Sequence, residues 1–378
     1  MLIHTFSAKS QLTFHEFDAV SRELCKRSDW RKIKNGVQYY GYSFCGMLVN
    51  LVKTGKGDYT RCDVEYIISP SRLFATDDYL GLFDTEDTDR LMAEIDFRLK
   101  ALCPLLPDMD VCDLTRVDFT VNAVMDSRRQ VEAYVKFAKQ GRVPCHMKVY
   151  APYDKKSKRC RCPEDGYTVF TAKDYHNAEI TLYDKYRQMV KQNSGRAVFP
   201  ERTLTEGKDI LRIEVRLKKH KIYALSKQYG IYSVRSFLKK ADTIAPKVVE
   251  AYLTRMILRE TVRTLADTRK IIAESGLDDE KKARLTAFVE TISVKRSTQK
   301  TIDAYKTDGK QSEAKKYLKM LAQLDINCVI AKEKTMAIFD GHVPTPTVLW
   351  DDALSGYERA AGAYILRIGK RRKVRTEL

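Results

Sequence analysis

The sequence predicts an α+β chain, a mainly antiparallel sheet with helices on one face followed by an all-α C-terminal domain. Three observations carry this reading. Strand-like runs and amphipathic helices alternate through the first two-thirds of the 378 residues. The strand runs alternate polar with apolar side chains, which gives a sheet with one polar face. From about Lys219 the pattern is helical.

Residues 38–53 (QYYGYSFCGMLVNLVK) are aromatic and β-branched enough for one or two strands, and 62–69 (CDVEYIIS) form a shorter one stopping at Pro70. Between 87 and 103, Met92, Ile95, Leu99 and Leu102 recur at helical spacing behind an acidic start that suits the helix dipole. Residues 114–122 (LTRVDFTVN) alternate as a half-buried strand, and 129–140 (RQVEAYVKFAKQ) make a helix ended by Gly141. Residues 141–178 hold Pro144, Pro152, Pro163 and Gly166 around the basic run KKSKRCRC and predict a long, positively charged loop or hairpin. Two strands follow, 179–183 (EITLY) and 210–217 (ILRIEVRL), separated by a basic helix that starts at Asp184. In the second, Leu211, Ile213, Val215 and Leu217 share one face and Arg212, Glu214 and Arg216 the other, so the polar face is not core. Pro246 opens a helix striped by Val249, Tyr252, Leu253, Met256 and Ile257, and Ser312 is the N-cap of another bearing Ala314, Tyr317, Leu318, Leu321 and Leu324. A boundary near 240–246 divides the chain into domains 1–240 and 241–378.

Composition narrows the class. At 44% hydrophobic and 31% charged the chain has a globular balance, which excludes disordered and fibrous proteins. No run approaches the ~18 apolar residues of a membrane helix, and the first residues lack the order of a signal peptide. A soluble, cytoplasmic protein is expected, without a membrane partner. Nine cysteines, an odd number spread through a long chain, fit a reducing compartment. With 68 Lys+Arg against 50 Asp+Glu the net charge is +18, which points to nucleic acid as the partner. The excess is concentrated: 1–130 hold 17 basic and 20 acidic residues, 131–240 hold 25 and 11, and 241–378 hold 26 and 19.

Three carboxylates interrupt strands that are otherwise ordinary: Glu65, Asp118 and Glu214. A strand carboxylate is unfavourable by propensity and costly if buried. One reading is a hard-metal site, with oxygen ligands on neighbouring strands holding Mg²⁺ or Mn²⁺ against a scissile phosphate. The other is that each acid faces water or pairs with a neighbouring arginine, Arg116, Arg212 or Arg216. A second feature is Tyr183, which ends a strand and enters a basic helix. A phenol so placed is aimed from a rigid element and can form a phosphotyrosyl intermediate, with Lys185 beside the phosphate. Tyrosine is also a favoured strand residue, and the chain has 21.

Other chemistries lack their motifs. The six histidines never occur as His-apolar-His, and there is no Walker A, GxGxxG, HExxH or GxSxG string. Cys145, His146, Cys160 and Cys162 have atypical spacing for zinc and read as loop residues. The basic segment 369–375 is a solvated end or a DNA clamp.

The ordered strings VEYIISPSRLF, TRVDFTVNA, VEAYVKFAKQGRVP, ITLYDKYRQ and ILRIEVRLKKHKI resemble the phage and plasmid replication proteins of the filamentous-phage gene II type. More distantly they are similar to the trans-acting Rep initiators of rolling-circle plasmids. The resemblance covers residues 38–240 and, more weakly, the helical remainder. It implies a site- and strand-specific endonuclease and strand transferase that nicks the double-strand origin, stays on the 5′ phosphate and leaves a 3′-OH for a host polymerase. A host helicase and both double- and single-stranded DNA are then partners. By matching strings Tyr183 falls at the nucleophile, Asp118 and Glu214 at the strand carboxylates, and Glu65 at a third acid; Lys185 and Arg216 match a family lysine and arginine. Tyr186 is a second nucleophile or a packing residue, and Tyr167 and Tyr175 are the fallback nucleophiles. Arg116, Arg212, Arg216, Lys218 and Lys219, with Lys155, Lys156, Lys158 and Arg159 of the basic arm, are the expected DNA contacts. A non-enzymatic origin binder or repressor, and a mobilisation relaxase or transposase, are the competing functions.

The charge makes a first prediction. If roughly 6–10 phosphates are contacted, raising salt from about 50 to about 200 mM weakens DNA binding by about 10³–10⁵, and a flat response in a filter-binding titration contradicts the basic-surface reading.

Overall fold

The computed structural model describes residues 3–55, 60–75, 80–154, 159–160, 163–171, 177–193, 199–257, 259–345, 348–350 and 352. In chain order the first elements are β1 (Ile3–Leu12), α1 (Phe14–Cys25), β2 (Trp30–Ile33), β3 (Gly36–Tyr39), β4 (Met47–Thr54), β5 (Arg61–Ile68), α2 (Pro70–Phe74), α3 (Thr88–Leu102), β6 (Asp113–Val124) and α4 (Arg128–Ala138). They are followed by β7 (Met147–Val149), β8 (Tyr153–Asp154), β9 (Arg159–Cys160), β10 (Gly166–Thr171), β11 (Ala178–Asp184), α5 (Lys185–Asn193), α6 (Glu201–Glu206) and β12 (Ile210–Lys218). The rest is α7 (Lys219–Tyr229), α8 (Val234–Lys239), α9 (Ala241–Met256), β13 (Arg263–Thr264), α10 (Leu265–Glu274), α11 (Asp279–Lys295), α12 (Thr298–Thr307), α13 (Gln311–Gln323), β14 (Ile330–Ala331) and α14 (Glu333–Ile338).

The fold is α+β with a helical C-terminal region. Its ten-stranded sheet has the order β2-β3-β4-β5-β1-β6-β12-β11-β10-β7. The pairings from β2 through β6, and that of β10 with β7, are antiparallel. Thr168 lies against Thr181 and Gly166 against Tyr183, so β10 and β11 also run in opposite directions.

The chain divides into two compact units, each discontinuous in sequence. Unit 1 is 1–120, 174–179 and 214–247; unit 2 is 121–173, 180–213 and 248–378. This differs from the division expected at residue 240, because β6, β11 and β12 each contribute to both units and the C-terminal helices cluster with α4 to α6.

In unit 1 the strands bury Phe6, Ala8, Val49, Leu51, Val64, Tyr66, Val117 and Phe119, and α1 lies against β1 and β5 with Phe17, Val20 and Leu24 buried. A capping box starts α1: Thr13 Oγ1 accepts the Glu16 N–H at 3.2 Å while the Glu16 carboxylate accepts the Thr13 N–H at 2.8 Å. Helix α3 packs on α8, and the Arg235 guanidinium of α8 reaches Asp89 and Asp110, both at 2.7 Å.

In unit 2, α4 lies against β10 with Val131, Tyr134, Val135 and Phe137 buried. Helices α10 to α13 pack in sequence, with Phe288, Tyr305 and Tyr317 in mutual ring contact at centroid distances of 5.2–6.2 Å.

Three local expectations change. The stretch 141–178 contains four strands, two of them in the main sheet, where the prolines suggested a loop or hairpin. Pro246 sits inside α9, which starts five residues earlier at Ala241. Ser312 lies within α13, whose N-cap is Lys310, after Gly309 in the left-handed region. Among the described residues no helix is long and apolar enough to cross a membrane.

Candidate functional site

Strand alternation turns Arg116, Asp118, Glu214 and Arg216 away from the core side chains of their own strands. On β6, Val117 and Phe119 are core while Arg116 and Asp118 take the opposite face; on β12, Val215 and Leu217 are core while Glu214, Arg216 and Lys218 are opposite.

In unit 1 the centre of this face is Asp118, 1% exposed. Arg116 donates Nε to its Oδ1 at 2.8 Å and Nη2 to its Oδ2. Arg216 donates Nε to Oδ1 at 3.0 Å and Nη2 to Oδ2 at 3.2 Å, and its Nη1 reaches Glu179 Oε1 at 3.2 Å. Two forked guanidinium groups thus fill the roughly four lone-pair sites of one carboxylate. Burial works against the Arg216 charge, but Asp118, Glu179 and Glu214 together raise its pKa above the ordinary arginine value.

Glu65 belongs to a different network. Arg31 Nε donates to Gln38 Oε1 (2.7 Å), Gln38 Nε2 to Asn50 Oδ1 (2.7 Å) and Asn50 Nδ2 to Glu65 Oε2 (3.1 Å). These four residues are paired in register across β2, β3, β4 and β5, so the ladder follows from strand pairing. Along β1, Glu65 is opposite Lys9 and Asp118 opposite Thr5. The two acids are therefore ~13 Å apart along the strand direction and two strands apart across it.

The expected metal set of Glu65, Asp118 and Glu214 does not fit this placement. Ligands of a hard cation converge to within ~2.0–2.6 Å of it, whereas Glu65 is remote and Asp118 has its oxygens filled by Arg116 and Arg216. Among the described residues no three His, Cys, Asp or Glu side chains come together to hold a metal ion. For Asp118 the pairing with neighbouring arginines is the arrangement that forms.

Unit 2 holds Tyr183, half-buried near the end of β11 on the face it shares with Thr181. Thr181 Oγ1 lies 3.1 Å from Thr168 Oγ1, tying β11 to β10 there. Gly166 is opposite Tyr183, and a Cβ at 166 would come within 3.2 Å of the Tyr183 Cβ, so the glycine leaves that side chain its space. After Tyr183 the chain turns inward. Asp184 is 1% exposed, accepts the Arg187 N–H at 2.9 Å at the start of α5 and takes Arg128 Nη2 at 3.2 Å. Burial raises its pKa, against the backbone bond and the two arginines. Lys185 is buried and donates to Gln188 Oε1 at 2.9 Å.

The other tyrosines separate. Tyr167 is 3% exposed on the core face of β10. Tyr186 carries the Arg128 guanidinium over its ring at 4.4 Å, a packing arrangement. Tyr175 lies outside the described residues.

The expected DNA contacts divide likewise. Arg116 and Arg216 keep 30% and 26% of their side chains exposed. Arg212 is fully buried, with Nε on Asn122 Oδ1 at 2.7 Å, and so is interior and not a surface contact. Lys218 is half-buried, and Lys219 is exposed and paired with Asp113 at 3.0 Å. Lys155, Lys156, Lys158, Cys162 and the 369–375 tail lie outside the described residues, as do the side chains of Arg159 and Cys160. Cys145 is an exposed free thiol.

The sequence reading missed Glu179, Asn50, Gln38, Asp184 and Arg128. Glu179 had a signal, its alternation with Thr181 and Tyr183; the Gln38–Asn50–Glu65 ladder depends on a register that no single strand contains.

Among solved structures, the chain is similar to a rolling circle replication initiator protein from Geobacillus stearothermophilus, with a TM-score of 0.33 and 12% identity, over 66% of this chain and 84% of that one. No protein-family model matches the chain, and no curated protein matches it.

The Asp118 clamp is testable by urea unfolding. Asp118→Ala leaves two arginines without their shared partner and is expected to lower stability by about 2–4 kcal/mol, below the fully buried limit because both arginines are part-exposed. Asp118→Asn is expected to lose most of the same amount. A loss under about 0.5 kcal/mol for both contradicts the clamp.

Proposed function

We propose that this chain is a replication initiator of the rolling-circle kind, a DNA nickase and strand transferase in which Tyr183 is the nucleophile. The observation that carries the reading is the placement of Tyr183: half-buried on the polar face near the end of β11, opposite Gly166. Support comes also from the strings ITLYDK, TRVDFT and LRIEVR and from the excess of basic residues between 131 and 240.

In this scheme the Tyr183 phenol loses its proton to water and its oxygen attacks the phosphorus of the scissile phosphodiester. The P–O3′ bond breaks, the 3′ oxygen takes up a proton as a free 3′-OH, and the 5′ phosphate stays on the tyrosine. One phosphoester replaces another, so the step needs no nucleotide hydrolysis and reverses to rejoin the strand. That agrees with a sequence lacking a Walker A string. A strand mount suits the role, since a nucleophile loses rate steeply when its geometry is loose. Lys185, buried and bound to Gln188, orients the first turn of α5 behind Tyr183 in place of the phosphate contact first expected. No step runs through Mg²⁺ or Mn²⁺, because the three strand carboxylates do not form a site for either. Origin duplex, the displaced single strand, and host helicase and polymerase are the partners this scheme uses.

A second reading, a DNA-binding protein without nicking activity, is favoured by one observation: Asp118 is saturated by arginine. The two readings part on one substitution. With supercoiled DNA of the source replicon, in Mg²⁺, Mn²⁺ or EDTA, wild type is expected to give nicked circles in at least one buffer. Tyr183→Phe is expected to bind with the same affinity and nick at least 10³-fold more slowly. Equal nicking by the variant moves the nucleophile elsewhere, and binding without nicking by wild type in all three buffers establishes the binding-only reading.

A further inference from the structure

The segment from Lys218 to Lys240 contains seven Lys and Arg and no Asp or Glu. In unit 1 it forms α7, a four-residue turn and α8. Gly230 makes the turn possible: its φ of 62° is left-handed, it ends α7, and its N–H bonds the Ser226 carbonyl. Ser233 then caps α8 with Ser236 in a capping box. Ile222, Leu225, Ile231, Val234, Phe237 and Leu238 are buried and anchor the segment.

What is left outside is unusual in composition. Tyr232, in the turn, is 96% exposed and Tyr223, on α7, 60% exposed. Lys219, Tyr223 and Lys227 follow one another at i, i+4 spacing, and the Lys227 ammonium lies 4.7 Å from the Tyr223 ring centroid. Tyr232 is 96% exposed in a turn held by Gly230 and the Ser233 capping box, so its ring is presented to solvent from a structured element. Lys219, Arg235 and Lys239 are in ion pairs with Asp113, Asp89 and Asp110, and the other lysines of the segment, Lys227 beside Tyr223 among them, favour an anionic partner.

The geometry also favours one form of polyanion. A helix-turn-helix reading duplex DNA presents its second helix to base edges. Here that helix has only six residues, and its cations are engaged: Arg235 with Asp89 and Asp110, Lys239 with Asp89, each at 2.7 Å. The exposed features are the Tyr232 ring and the Tyr223 ring with the Lys227 ammonium beside it, which match unpaired bases and the phosphates between them.

We propose that the α7–turn–α8 surface of unit 1 is a binding platform for single-stranded DNA, with Tyr232 and Tyr223 stacking on unpaired bases and Lys227 contacting a flanking phosphate. The proposal takes DNA as the partner from the reading above and adds the place and mode in which an unpaired strand is held. It does not depend on Tyr183 being the nucleophile.

The test measures fluorescence anisotropy of a labelled 20-nucleotide single strand and of the matching duplex. It uses the full chain in EDTA and in the Tyr183→Phe background, so that no strand is cut. Tyr232→Ala is expected to weaken single-strand binding about tenfold and Tyr223→Ala about fivefold, within the range for losing one stacked base, while duplex binding changes less than twofold. Tyr232→Phe keeps the ring and is expected to bind as before. Lys227→Gln is expected to reduce the slope of log affinity against log salt by about 0.7. Both tyrosines are exposed, so the variants are expected to keep their melting temperature. Unchanged single-strand affinity in the Tyr223→Ala/Tyr232→Ala double variant, or equal losses on single strand and duplex, overturns the proposal. Loss of nicking alone in Tyr183→Phe bears only on the nucleophile.

Discussion

A buried carboxylate gripped by two guanidinium groups organises the polar side of unit 1. Asp118 on β6 has 1% of its surface exposed and accepts from Arg116 on its own strand and Arg216 on the next. A carboxylate so buried is unfavourable alone and tolerable only when its lone pairs are filled by cations. In return it fixes both arginines, which are long and entropically costly to order, in one orientation with about a quarter of each still in water. The pair β6 and β12 thereby presents preset positive charge on a face that strand alternation has already made polar.

The same alternation explains why the candidate site sits where it does. Period-two patterning sends Val117 and Phe119 to the core and Asp118 to the opposite side, and in unit 2 Leu182 to the core and Tyr183 to the opposite side. Register does the rest, lining up Arg31, Gln38, Asn50 and Glu65 across four strands into one hydrogen-bonded row. Glu65 joins that row through one hydrogen bond from Asn50, whereas Asp118 takes four from its two arginines, and each acid serves strand organisation.

Much of this was legible in the sequence. Strands β5, β6, β11 and β12 and helices α3, α4 and α5 stand where their periodicity put them, because each carries a strong local signal. Strand β1 and helix α1 had one too, the Thr13-x-x-Glu16 capping box, and were missed. The sheet strands β7 and β10 were hidden by the prolines and charges around them. Ser312 and Pro246 were misplaced by a few residues, since cap residues are common inside helices as well as at their starts. The two-unit division was not legible at all: each unit joins segments more than 50 residues apart, and compactness of that kind is a property of contacts. At the site, the residue types were found and their partners were not. Alternation identified Asp118 and Glu65 as strand acids, whereas the ~13 Å that separates them along the strands depends on register.

The central claim is that Tyr183 forms a covalent bond to DNA, and the most direct test is to look for that bond. Wild-type protein incubated with supercoiled DNA of its replicon is digested with nuclease and protease, and the peptides are analysed by mass spectrometry for an attached nucleotide. A nucleotide on the peptide that contains Tyr183, localised to that residue by fragmentation, is the predicted result. A nucleotide on Tyr167, Tyr175 or Tyr186, or nicked DNA with no nucleotide-bearing peptide, contradicts the account.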